Sequence, residues 1–243
     1  MRIEYVFGDE KNTQYSILNT KHQRMASQVA HVVYAKKYLD RHPAMNADLF
    51  LLGTLLPDVR RVTDEVKRKD THIVYPELDL EFKNLSPFEA GYRFHLWCDM
   101  RREEILNKYN FYDLKYAADI GHLPAKLLED ELVYEKYNNW EKLIWLLENP
   151  PEVKINLNVS SASAKASADF DLKVSQETIE RWYAVNAKYF EGKPNEKTLK
   201  AFLWKQRKLR KLSDEIIDVV EKLRNNSKVV EILLKISDEI LEQ

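Results

Sequence analysis

His95 and Asp99 stand four residues apart inside "FHLWCDM" (94–100), one of the most apolar stretches of the chain. On a helix, positions i and i+4 are neighbours on one face. A carboxylate taken out of water without a partner costs several kcal/mol. Three other segments also place an imidazole or carboxylate at the edge of an apolar run. His31 lies on the apolar face of "AHVVYAKKYL", Asp58 directly follows "LLGTLLP", and His72 follows a polar loop. A divalent cation satisfies such groups together: it supplies the charge the carboxylates need and accepts imidazole lone pairs. Each residue also has a plainer reading, as a hydrogen-bonded core histidine, an intrahelical His–Asp contact or an aspartate capping a turn after proline. The joint arrangement is what favours a metal. His22, in a polar stretch, and His42, beside Pro43, read as structural or solvated.

The elements that must position these groups are helices. Gly (5) and Pro (8) are scarce among 243 residues, while Leu, Lys, Glu and Ala abound, so the composition predicts an all-α multi-helix bundle. Helices are expected at about 25–40, from Asp48 towards Leu56 before Pro57, and over 122–137 and 139–148. From Pro87 to about Tyr109, Ser86 provides the N-cap and Glu89 completes a capping box. Residues 1–20 read as an irregular arm, and 59–71 as an exposed loop or short solvated helix. The chain divides into a metal-binding helical core (1–150), a low-complexity loop or linker (151–174, with "VSSASAKASADF") and C-terminal helices (175–243) near 175–190, 196–224 and 227–242. The last group packs either separately or on the core as one domain.

Lys+Arg 38 against Asp+Glu 39 gives a net charge of -1, which counts against long nucleic acid as a partner. A single cysteine, Cys98, excludes an intramolecular disulfide framework. Neither a signal-type apolar run at the N-terminus nor a membrane-spanning segment is seen, so a cytoplasmic location is expected.

The ordered set "AHVVYAKKYL", "LFLLGTLLPDVRR", "DTHIVYP" and "FEAGYRFHLWCD" resembles the zinc-dependent phospholipase C family over about residues 25–120. The resemblance implies that His31, Asp58, His72, His95 and Asp99 surround zinc. Where the family often adds a histidine shortly after the His-x-x-x-Asp pair, this chain has Glu103. Where a later helix usually brings histidine with an acidic residue four on, it has Lys115 and Asp119, with His122 nearby. Glu103 and Asp119 therefore join the candidate ligands, and one or two zinc ions are expected rather than three. The implied activity is hydrolysis of phosphoester bonds by a metal-activated water, whose pKa falls from about 15.7 towards 7. Asp58 would orient that water or accept its proton. Arg60 and Arg61 are candidate phosphate contacts through bidentate guanidinium geometry, or else part of a solvated loop.

Two alternatives stay open: a non-catalytic helical interaction module with a structural metal, and a nuclease or small-phosphodiester hydrolase. A phospholipid substrate would require contact with a membrane surface. The candidate stretch is "KTLKAFLWKQRKLRKL" (197–212), in which seven basic residues interleave with apolar ones. The plainer reading is a surface helix whose basic stems cover apolar neighbours.

Overall fold

The computed structural model describes residues 28–73, 79–151, 156–160, 167–171, 174–206 and 209–242. The chain folds as helices: α1 (Gln28–Arg41), α2 (Ala47–Leu55), α3 (Arg68–Thr71), α4 (Pro87–Lys108), α5 (Leu123–Val133), α6 (Trp140–Glu148), α7 (Gln176–Phe190), α8 (Glu196–Lys205), α9 (Ser213–Arg224) and α10 (Ser227–Glu239). The expected all-α fold is present. The arm expected at 1–20 lies outside the described residues.

Local chemistry sets the boundaries. Ser86 Oγ accepts the Glu89 N–H at 3.2 Å while the Glu89 carboxylate accepts the Ser86 N–H at 3.0 Å, closing the capping box that starts α4. Asn46 caps α2, Ser175 α7, Asn195 α8 and Asn226 α10, each accepting from backbone N–H groups of the first turn. The chain does not leave the core after α2. It tightens into a 3-10 helix, Leu56–Arg61, with Pro57 near its start, where the missing N–H does no harm.

α2 is apolar on nearly every side and is buried, with Phe50, Leu52 and Leu55 among the least exposed side chains. It crosses α4 at two glycines. A Cβ on Gly53 would stand 2.0 Å from the Phe88 carbonyl oxygen, and one on Gly91 would stand 2.0 Å from that of Phe50. Only residues without side chains allow this approach. The α2 end lies against α7: Trp182 Nε1 donates to the Leu55 carbonyl at 2.7 Å and Tyr183 Oη to that of Leu52 at 3.0 Å. These are carbonyls of the last helical turn, which have no partner within a regular α-helix.

α9 and α10 are amphipathic. Ile216, Val220, Leu223, Val229, Ile232, Leu233 and Ile236 face inward at helical spacing, and both helices pack on α5. One hydrophobic cluster runs from Val29 to Leu241, so the C-terminal helices share the core of the N-terminal ones. Within 151–174, where composition predicts a loop, β1 (Asn156–Ser160) pairs antiparallel with β2 (Ser167–Asp171).

One expectation changes, and one segment is filled in. In 59–71, read as exposed from its charges, Val59, Arg61, Val66 and Thr71 are buried, because apolar and hydrogen-bonding groups recur among the charged ones. In 197–212, Leu199, Phe202, Leu203 and Leu209 face the core, leaving Trp204 and Leu212 exposed, with the Arg210 guanidinium over the Trp204 ring. No helix among the described residues is long and apolar enough to cross a membrane.

Candidate metal centre

Four segments deliver five side chains to one point beneath the α2–α4 crossing. α4 brings His95 and Asp99, α1 brings His31, the 3-10 helix after α2 brings Asp58, and the end of α3 brings His72. His95 Nδ1 lies 2.9 Å from the Thr54 carbonyl oxygen, to which it donates. That bond leaves Nε2 deprotonated and facing the cluster. The rings of His31 and His95 stack at 4.0 Å, 11° from parallel. His72 Nδ1 lies 2.9 Å from Thr71 Oγ1, and the Thr71 carbonyl is held by the buried Tyr92 hydroxyl. His72 Nε2 stands 4.0 Å from Asp58 Oδ1 and 3.7 Å from Asp99 Oδ2. His31 Nε2 is 3.8 Å from Asp99 Oδ1.

The donors form two overlapping groups that could hold a metal ion: His31, His95 and Asp99, and Asp58, His72 and His95. Donors bound to zinc at about 2.0–2.1 Å with tetrahedral angles stand about 3.4 Å apart. Within each group the donor atoms lie within 4.8 Å of one another, and the spacings of 3.8 Å (His31–Asp99) and 4.0 Å (His72–Asp58) are somewhat wider than that value. His72 Nε2 and His95 Nε2 are buried and make no hydrogen bond among the described residues.

The protonation states suit a cation. Burial pushes the His95 imidazole down to about 3, with His31 adding to the effect. Burial, then the Arg68 charge, holds His72 well below its ordinary value. Both rings are therefore neutral at pH 7 and present lone pairs. Burial alone would raise Asp58, but Arg61 and Arg60 outweigh it and hold the carboxyl well below its usual range. Arg60 Nη2 lies 3.2 Å from Oδ1 and Arg61 Nε 3.2 Å from Oδ2, which also accepts from Gln28 Nε2 at 2.8 Å. Burial likewise opposes ionisation of Asp99, and Lys126 does most to reverse it, at 3.5 Å from Oδ1. Lys126 itself is pushed down to about 8 by burial, against the pull of Asp99. Arg68 approaches the other oxygen of Asp99 at 3.6 Å.

The structure thus brings together His31, Asp58, His72, His95 and Asp99. Glu103 and Asp119 are not in either group. Glu103, one turn beyond Asp99, accepts from the Tyr112 hydroxyl at 2.8 Å, and Asp119 is exposed on a 3-10 helix, Asp119–His122. His122 packs edge-on against Tyr112, and His42 stacks on Tyr38. Arg60 and Arg61 reach the centre as charge partners of Asp58, with Arg61 also donating to Gln206 at 3.0 Å. Sequence reasoning missed Gln28, Arg68 and Lys126. A signal existed for each: Gln28 is three residues before His31, Arg68 four before His72, and Lys126 stands between Ala125 and Leu127 in an otherwise apolar helical start. No family model, curated protein or solved structure matches the chain.

Proposed function

We propose that the chain is a metal-dependent hydrolase of phosphoester bonds, phospholipase C-like in its chemistry, with zinc as the ion. The carrying observation is that His72 Nε2 and His95 Nε2, both neutral and buried without a hydrogen bond, lie among two ionised carboxylates. Asp58, His72, His95 and Asp99 would hold the ion, with His31 in support. The resemblance of the segments carrying these residues to the zinc-dependent phospholipase C family supports the same choice. Zinc, when bound, supplies a Lewis acid and a water acidic enough to act as nucleophile near pH 7.

The protein's own groups do the rest. Asp58, ionised and fixed by Gln28, Arg60 and Arg61, accepts a proton from the attacking water or orients it. The His95 ring is held in one tautomer by the Thr54 carbonyl, so its free nitrogen is always the one facing the centre. Arg60 and Arg61 are occupied by Asp58. Arg68 is the better phosphate contact, because its side chain is one-third exposed (34%) at the edge of the cluster.

Metal analysis of protein purified without added metal tests the first step: about one equivalent is expected, lost in His95→Ala. Hydrolysis of phosphodiesters and phospholipids with and without chelator tests the second. Activity indifferent to chelation removes the mechanism.

A structural metal is the second reading, favoured by the near-complete burial of the donors, with the Asp99 side chain at 9% the most exposed. Substituted cobalt discriminates the two: a spectrum that shifts with added anions indicates an open coordination position, and an inert one a closed shell.

A further inference from the structure

The two oxygens of Asp99 face different company. Oδ2 lies towards His72 (3.7 Å) and Arg68 (3.6 Å), whereas Oδ1 lies towards His31 (3.8 Å) and Lys126 (3.5 Å). His95 belongs to both candidate metal groups but has one nitrogen to offer, since Nδ1 is committed to the Thr54 carbonyl at 2.9 Å. Two ions cannot both use it. His72, of the group with Asp58, lies towards Oδ2, so an ion shared by that group and His95 leaves His31 as the imidazole donor on the Oδ1 side. That side already holds an ammonium. Lys126 projects from α5, is buried at 4% exposure, and approaches the very oxygen that a second ion beside His31 would need.

We propose that the centre is mononuclear, and that Lys126 Nζ is the fixed cation standing where a second metal ion would otherwise sit. The proposal rests on the reading of the cluster as a metal site. The ammonium balances Asp99 Oδ1 as a divalent ion would, and its charge repels one from His31. Lys126 is a positioning residue: it holds Asp99 with Oδ2 turned towards the single ion, and it touches neither substrate nor ion.

The test is metal stoichiometry of the full-length chain by native mass spectrometry, with cobalt titration followed by absorption as a second readout. Wild-type protein is expected to saturate at one equivalent of zinc or cobalt. Lys126→Met, which keeps the stem and removes the charge, is expected to admit a second, weaker ion. Lys126→Glu adds a donor and is expected to tighten that second ion by at least about tenfold over Lys126→Met. Two ions in the wild type overturn the proposal, as does a single ion in both variants. No ion in the wild type overturns the metal reading itself, which separates the two failures. If Lys126→Glu does not fold, the wild-type and Lys126→Met stoichiometries decide.

Discussion

At the scale of the residue, the centre depends on groups being kept in the protonation states that water would not give them. His95 is held down to about 3 by burial and His72 well below its usual value, against about 6.5 in an unfolded chain. Below pH 6.5 the unfolded state takes up protons that the folded, metal-free protein refuses. The histidines' contribution is therefore level above that pH and falls as the pH drops from 6.5, by about 1.4 kcal/mol per unit for each histidine. Asp58 and Asp99, held low by cationic neighbours, keep their contribution in this window and lose it only below about pH 4, where the unfolded carboxyls protonate. Urea unfolding of chelator-treated protein at pH 7.5 and 5.5 checks this, with a markedly lower midpoint expected at 5.5. Equal midpoints would mean that the imidazoles are not buried neutral. The five clustered donors were legible because polar groups at the edges of apolar helices need a reason to be there. Lys126 and Arg68 were not, because a lysine in a helix start and an arginine in a charged run look solvated until Asp99 is brought beside them.

At the scale of the element, the α2–α4 crossing aims the candidate ligands. The backbones meet at Gly53 and Gly91, and the same contact sets the Thr54 carbonyl over His95 Nδ1. Gly53→Ala or Gly91→Ala places a methyl 2.0 Å from a carbonyl oxygen that no side-chain rotation can clear, so the helices must separate. The expected cost is at or above the upper end of ~1–3 kcal/mol, and metal affinity should fall with it because the Thr54–His95 bond stretches. Gly192→Ala is the control: a Cβ there meets nothing within 4 Å, and its effect should stay within about 0.5 kcal/mol. Thermal unfolding and zinc titration of the three variants check this. A Gly91→Ala protein with wild-type melting and affinity would refute the crossing. The helices themselves were readable from the sequence, since Ser86, Pro87 and Glu89 write the start of α4 locally. The crossing was not, because one glycine in each of two apolar helices gives no sign of which partner it admits. The segment 59–71 misled for a related reason. Its charges suggest solvent, but Arg61 is drawn inward by Asp58 and Gln206, partners that only tertiary structure supplies.

At the scale of the whole molecule, the composition break at 151–174 is not a break in the core. α5 joins the two halves, packing on α1 as well as on α9 and α10. Its Glu129 accepts from Arg102 at 2.6 Å and from the Tyr34 hydroxyl, and its Asp130 accepts from the Ala30 N–H at 2.9 Å and Tyr189 Oη at 3.0 Å. These groups are buried, so each contact must persist for the others to be satisfied. α7 completes α2 through Trp182 and Tyr183, directly above the segment that carries Asp58. A chain ending at residue 151 would leave the Leu52 and Leu55 carbonyls without those partners and expose the apolar faces that α9 and α10 cover. It is therefore expected to fail to fold and to bind no zinc tightly. The full-length chain should unfold in one calorimetric transition with matching calorimetric and van't Hoff enthalpies. Zinc at a hundredfold excess over its dissociation constant should stabilise that whole transition by about 2.7 kcal/mol, rather than one part of it. Trp182→Phe probes the link between halves from a position away from the ligands. It keeps most of the packing and removes the indole donor from the Leu55 carbonyl, at a cost of about 0.5–1.5 kcal/mol. In a cooperative molecule that loss moves the single transition and leaves it single. Two separated transitions in the variant, with zinc shifting only the lower or the upper, would show instead that the halves fold independently.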